Sequence, residues 1–194
     1  MKKLVILIIL AAVGLGIALI MFNQSSRQQE MVPYVATING APIPLDQYKI
    51  YLRTIVTTFE SFGGPDIWQA TIGGIPTPEL AKRQALESIV FVMLTNSQTN
   101  MQLSEEESRL AAAQAQEMFN TFTPQEQELF DINTLITIRE DILLHENVKQ
   151  YLTQSYHADE REEVFAQMME VIRQNAVLEH NTEVWDALDI GLDS

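Results

Sequence analysis

The chain has 194 residues, room for one domain and an appendage, and carries 12 Lys and Arg against 26 Asp and Glu. That acidic balance excludes nucleic acid as a partner class, because nucleic-acid binding needs basic patches that neutralise phosphates. There is no cysteine, which excludes disulfide scaffolds, thiolate metal sites, cysteine catalysis and a lipidated-cysteine anchor.

Lys2 and Lys3 precede Leu4 to Phe22, a run of 19 residues without a charged or strongly polar side chain. At about 1.5 Å per helical residue it spans most of a hydrocarbon layer roughly 30 Å thick. The two lysines hold its start in the cytoplasm and send the rest outside. The rival reading is a secretory signal cleaved after Gly16 and Ala18, although such a cut falls inside the apolar run. Residues 1–22 thus read as a transmembrane anchor or signal, and 23–32 as a polar spacer. Without Lys2 and Lys3 the remainder holds 10 basic against 26 acidic residues, a net −16. Such a surface attracts basic or unfolded polypeptide, repels anionic lipid, and also simply keeps a domain soluble.

Residues 33–194 form the domain. Val35 to Ile38 is a strand signal, Asn39 and Gly40 tolerate positive φ, and Pro42 and Pro44 bar helix until Leu45. Leu45, Tyr48, Leu52, Ile55 and Phe59 then recur at helical spacing, flanked by Tyr51 and Phe62. Gly63, Gly64 and Pro65 should end that helix. The stretch from there to Pro76 holds four of the eight glycines with Trp68 and Ile72, and reads as a long loop in which Trp68 either plugs the core or makes an exposed contact.

Thr77 with Pro78 reads as a cap and first helical position, opening a helix to about Thr95 whose half from Ile89 to Leu94 is apolar almost all round. A helix apolar on all sides belongs at the centre of its domain. Ser104 with Glu107 makes a capping box for a helix to about Asn120, and Thr123 with Glu126 repeats it for one running to about Tyr156. Asp159 to Asn175 is a last amphipathic helix with Val164, Phe165, Met168 and Ile172 as its apolar stripe. Val177 to His180 alternates as a strand does. A lone strand leaves backbone groups unpaired, so Val35–Ile38 is expected to pair with Val177–His180 and tie the ends of the domain together.

The opening VATINGAPI, the central helix in AKRQALESIVFVMLTNSQTNMQLSEEE with its polar exit, Met101–Leu103 pair and acidic cap, and the closing FAQMMEVIRQNAVLEHNTEVWDAL together resemble the amino-terminal chaperone domain of the SurA, PrsA and PpiD group of extracytoplasmic foldases. The resemblance covers most of Pro33 to Leu188. It implies a mainly helical fold and a module that binds unfolded polypeptide. Family members commonly insert a parvulin-type prolyl isomerase before the closing helix, where only His157 to Glu160 stand here. The implied module therefore lacks the isomerase.

No nucleophile elbow, zinc-protease, P-loop, dinucleotide or calcium-loop pattern occurs. His145, His157 and His180 are dispersed and suggest no metal site, and no cofactor is expected. Asp141 and His145 share a helix face as a surface charge pair. Among the eight methionines and the aromatic residues, Tyr48, Tyr51, Phe59, Phe62, Trp68 and Met93 are the candidate lining of an adaptable peptide groove, with core packing the ordinary role for side chains at this spacing. The expected function is a membrane-anchored extracytoplasmic holdase for unfolded or partly folded polypeptides, without enzymatic activity. The alternative is an anchored adaptor for one specific envelope protein.

Overall fold

The structure, a computed structural model, describes residues 33–190. The anchor or signal at 1–22 and the spacer at 23–32 lie outside the described residues. Among the described residues no helix is long and apolar enough to cross a membrane.

The architecture is mainly helical with two small antiparallel sheets. In chain order come β1 (Tyr34–Ile38), β2 (Ala41–Pro44), α1 (Leu45–Gly63), a 3-10 turn (Pro65–Gln69), β3 (Thr71–Ile72), β4 (Ile75–Pro76), α2 (Thr77–Asn96), α3 (Glu105–Phe119), α4 (Pro124–Leu129), α5 (Ile132–Thr153), α6 (Arg161–Gln174), β5 (Leu178–His180) and α7 (Thr182–Ala187).

The expected pairing of the ends is present: Ala36, Thr37 and Ile38 lie opposite His180, Glu179 and Leu178. The sheet nevertheless has three strands, in the order β2-β1-β5, rather than two. Asn39 at φ 50 and Gly40 at φ 80 form a turn whose twist suits a tight hairpin, so the segment Ala41–Pro44 folds back as β2. The prolines that bar helix there do not bar an edge strand. Asn39 also clasps β5, donating its backbone N–H to Val177 O at 2.8 Å and accepting the Val177 N–H on Oδ1 at 2.9 Å. Asn39→Ala should cost about 1.5 kcal/mol, the left-handed penalty plus one lost hydrogen bond. Chemical denaturation measures it, and Asn39→Gly, which removes only the side-chain bond, should cost less.

Three further expectations need correction. The stretch from Gly63 to Pro76 is ordered into the 3-10 turn and a two-residue hairpin, which explains how so many glycines fit a short connection. Thr77 does not cap α2. Its buried hydroxyl points back at Ile67 O and Ala70 O, 2.7 and 2.6 Å away, and so seals that turn onto the helix start. The single helix expected from Thr123 to Tyr156 is two, because Phe130 takes an extended backbone and the Asp131 side chain then caps α5 by accepting from Thr134 N at 3.1 Å. Both capping boxes, Ser104 with Glu107 and Thr123 with Glu126, are formed.

Two cores result. The first joins the sheet, α1, α2 and α6 through Val35, Ile43, Tyr48, Leu86, Ile89 and Phe165. The second joins α1, α3 and α5 with the segment around α4 through Ile50, Ala115, Phe122, Leu135 and Ile138. α2 packs against α1, α5 and α6, the central place its apolar half predicts. α1 serves both cores, with Tyr48 and Leu52 facing one and Ile50 the other.

Candidate functional site

A groove of about 850 Å³ opens between α1, α4 and the closing α7 segment. Leu45, Leu52 and Val56 come from α1, Leu129 and Phe130 from the end of α4, and Val184, Leu188 and Ile190 from the closing segment. These apolar groups make up half of its lining residues. Leu129 is 75% exposed, an unusual state for a leucine beside a concavity and one that leaves it free to meet a ligand.

Charge of both signs shares that lining: Lys49, Arg53, Glu60, Glu126, Glu183 and Asp189. Arg53 and Glu126 form a two-pronged pair, with Nε to Oε1 at 2.5 Å and Nη2 to Oε2 at 3.2 Å. The guanidinium also lies 4.1 Å from the centre of the Phe122 ring. Hydrogen bonding by Arg53, supplemented by the Thr123 amide of the capping box, holds the Glu126 carboxyl below the usual carboxylate range. Glu126 therefore starts α4 and fastens it to α1, which fixes the width of the groove between them.

The sequence-predicted peptide residues do not converge on this groove. Tyr48 is fully buried, donates its hydroxyl to Lys82 O at 3.1 Å and packs tilted against Trp185 at 5.9 Å. It is a core residue and has no surface to offer a peptide. Tyr51 is half-buried between the two cores, and its enclosed hydroxyl has no hydrogen-bond partner among the described residues. Burial first, and the neighbouring Asp141 carboxylate second, push that phenol up to about 12.

Phe59 and Trp68 do meet, stacked with centroids 5.8 Å apart, and Trp68 Nε1 donates to Glu60 at 3.1 Å. Trp68 is half-buried and packs against the first core, so it combines the plug with an exposed edge. Met93 is half-buried against the same core. Phe62 stands apart at 88% exposed, at the next-to-last position of α1. The residues that line the groove from α1, Lys49, Arg53 and Val56 among them, lie outside the expected set, and nothing local marks α7 as a wall. Asn181 accepting from Val184 N is its start signal.

The Asp141 and His145 pair is not a surface pair. His145 is 8% exposed, and its ring lies 5.4 Å from Phe91 and 5.8 Å from Phe165, with Nδ1 enclosed and without a hydrogen-bond partner among the described residues. Burial drives its pKa down. Asp141 is half-buried, and burial, reinforced by the adjacent Glu140 charge, raises its carboxyl to about 6. Among the described residues no cluster of three or more His, Asp or Glu side chains is placed to hold a metal ion.

Comparison with family models, with curated proteins and with solved structures finds no match to this chain.

Proposed function

We propose that this protein is a membrane-tethered extracytoplasmic chaperone that holds unfolded or partly folded polypeptides in the groove between α1, α4 and α7. The observation that carries the reading is the groove itself, an open concavity lined by mostly aliphatic apolar side chains together with charges of both signs. Aliphatic side chains accept varied apolar sequence without demanding one shape, and a mixed rim leaves polar backbone free to stay wet. The resemblance of VATINGAPI and the closing helix and strand to the SurA, PrsA and PpiD group supports the same reading. In it the chain performs no chemistry, Leu4 to Phe22 supplies the tether, and the excess of acidic residues favours basic clients.

Leu129 is the place to test it. The full-length chain in detergent should suppress aggregation of a denatured client, and Leu129→Asp should weaken client binding about fivefold through loss of one apolar contact. Being so exposed, the substitution should change stability by less than about 0.5 kcal/mol. A chain that neither suppresses aggregation nor binds unfolded polypeptide would end this reading. Crosslinking in cells separates the holdase, which captures many clients, from an adaptor, which captures one. A prolyl-peptide assay should give no rate above background.

A further inference from the structure

The three-stranded sheet treats its two edges differently. Across β1 and β5 the antiparallel ladder is anchored at both ends, by Asn39 N to Val177 O at 2.8 Å and by Asn181 N to Val35 O at 2.9 Å. Antiparallel residues alternate between facing their partner and facing away. With Thr37 opposite Glu179 between those anchors, Val177, Glu179 and Asn181 turn their backbone groups to β1. Leu178 and His180 turn theirs outward, and among the described residues no strand pairs on that side.

On the opposite edge, the bonded pair Ile38 and Ala41 closes the hairpin, and Leu45 N reaches Pro33 O at 2.7 Å beyond the bulge. The outward positions of β2 are therefore Pro42 and Pro44, neither of which has an N–H to donate. That edge is closed to another strand by its own sequence. The β5 edge carries no such block.

We infer that the outer edge of β5 binds an extended, lysine- or arginine-bearing polypeptide segment as a fourth strand, through the backbone groups of Leu178 and His180. Charge selects this occupant. A strand bonded to Leu178 and His180 sets one of its residues directly opposite Glu179, in the closely spaced non-bonded position where side chains interact most. Glu179 is exposed and, among the described residues, forms no ion pair. A basic residue opposite it is attracted. A second copy of this chain, paired about the same position, would bring Glu179 against Glu179, which opposes self-assembly.

This deepens the proposed function by adding a second, backbone-directed point of client contact, and rests on that reading for its biological role only. The probe is a short blocked peptide of alternating valine and lysine, titrated by fluorescence anisotropy against the full-length chain in detergent. It should bind. A twin with glutamate for lysine, and a twin methylated on the amide nitrogens that face β5, should each bind about tenfold more weakly. His180→Pro, which deletes one outward N–H and no inward bond, should lose about as much, while His180→Ala should not.

Should His180→Pro fail to fold, the methylated twin still decides, since it leaves the protein untouched. Equal binding of the methylated or the glutamate twin would overturn the inference, as would concentration-dependent dimers abolished by His180→Pro. A folded His180→Pro chain that binds the lysine peptide undiminished sinks the edge and leaves the chaperone reading standing. Edge binding with no suppression of aggregation does the reverse.

Discussion

Tyr48→Ala is expected to destabilise the domain by about 3–5 kcal/mol, the cost typical of truncating a fully buried aromatic side chain. The ring is enclosed between the sheet, α2 and Trp185, and its hydroxyl is the donor to Lys82 O. Removing it opens a cavity in the first core and takes away the partner of that carbonyl. Tyr48→Phe keeps the ring and should cost about 1 kcal/mol, the worth of the hydrogen bond alone. Denaturant unfolding followed by circular dichroism resolves the two.

The same pair of variants separates fold from function. If Tyr48 contacted clients, Tyr48→Phe would impair binding at full stability. With the residue in the core, client binding should survive Tyr48→Phe and fall in Tyr48→Ala only as far as the folded fraction falls. Phe62→Ser is the complementary control. Its ring is almost wholly in solvent, so stability should move by less than about 0.5 kcal/mol.

Tyr48 and Phe62 also mark where sequence pattern stops being informative. Both lie on the aromatic stripe of α1 and look alike to a periodicity argument, which finds the apolar face of a helix but not how far along its axis the neighbours extend. α2 and the sheet cover Tyr48, while the last turn of α1 runs past them and leaves Phe62 bare. Local chemistry was legible: the Asn39-Gly40 turn, the two capping boxes and the pairing of β1 with β5 each depend on residues adjacent in sequence or on the need to satisfy backbone groups. β2 leaves no such trace, because Pro42 and Pro44 signal a helix break, while on an edge strand with their nitrogens outward they cost nothing. The groove was hidden for a different reason. Its width depends on Arg53 meeting Glu126 and its far wall on α7, and neither long-range meeting leaves a periodic trace in the chain.

The remaining large effect lies on α5, where Asp141 and His145 are one turn apart and both removed from water. Asp141 has a folded-state pKa of about 6, above its ordinary 3.8. Between those values the folded state holds the proton more firmly than the unfolded one, so stability falls as pH rises through that window. Above about pH 6 the fold carries the full cost of a poorly solvated carboxylate, with Glu140 beside it and a hydrogen bond from Gln47 offsetting part of that cost. Asp141→Asn should therefore raise stability at pH 8 by about 2 kcal/mol, after reduction for the water that still reaches the group. At pH 4 or below, wild type and variant should be nearly equal.

His145 has the opposite sign. Burial between Phe91 and Phe165 lowers its pKa, the Glu146 charge works against that and Lys149 with it. The neutral ring is the form the fold accepts, so its contribution is complete above the ordinary value of about 6.5 and is lost as pH falls below it. On acidification Asp141 thus stabilises the domain while His145 destabilises it, so their slopes have opposite signs over the mildly acidic range. Asp141→Asn should expose the acid-side loss due to His145, and His145→Gln, whose amide does not titrate, should expose the alkaline-side loss due to Asp141. Melting curves of the three proteins at intervals from pH 4 to pH 8 give both slopes, and parallel curves for all three would remove either group from the account.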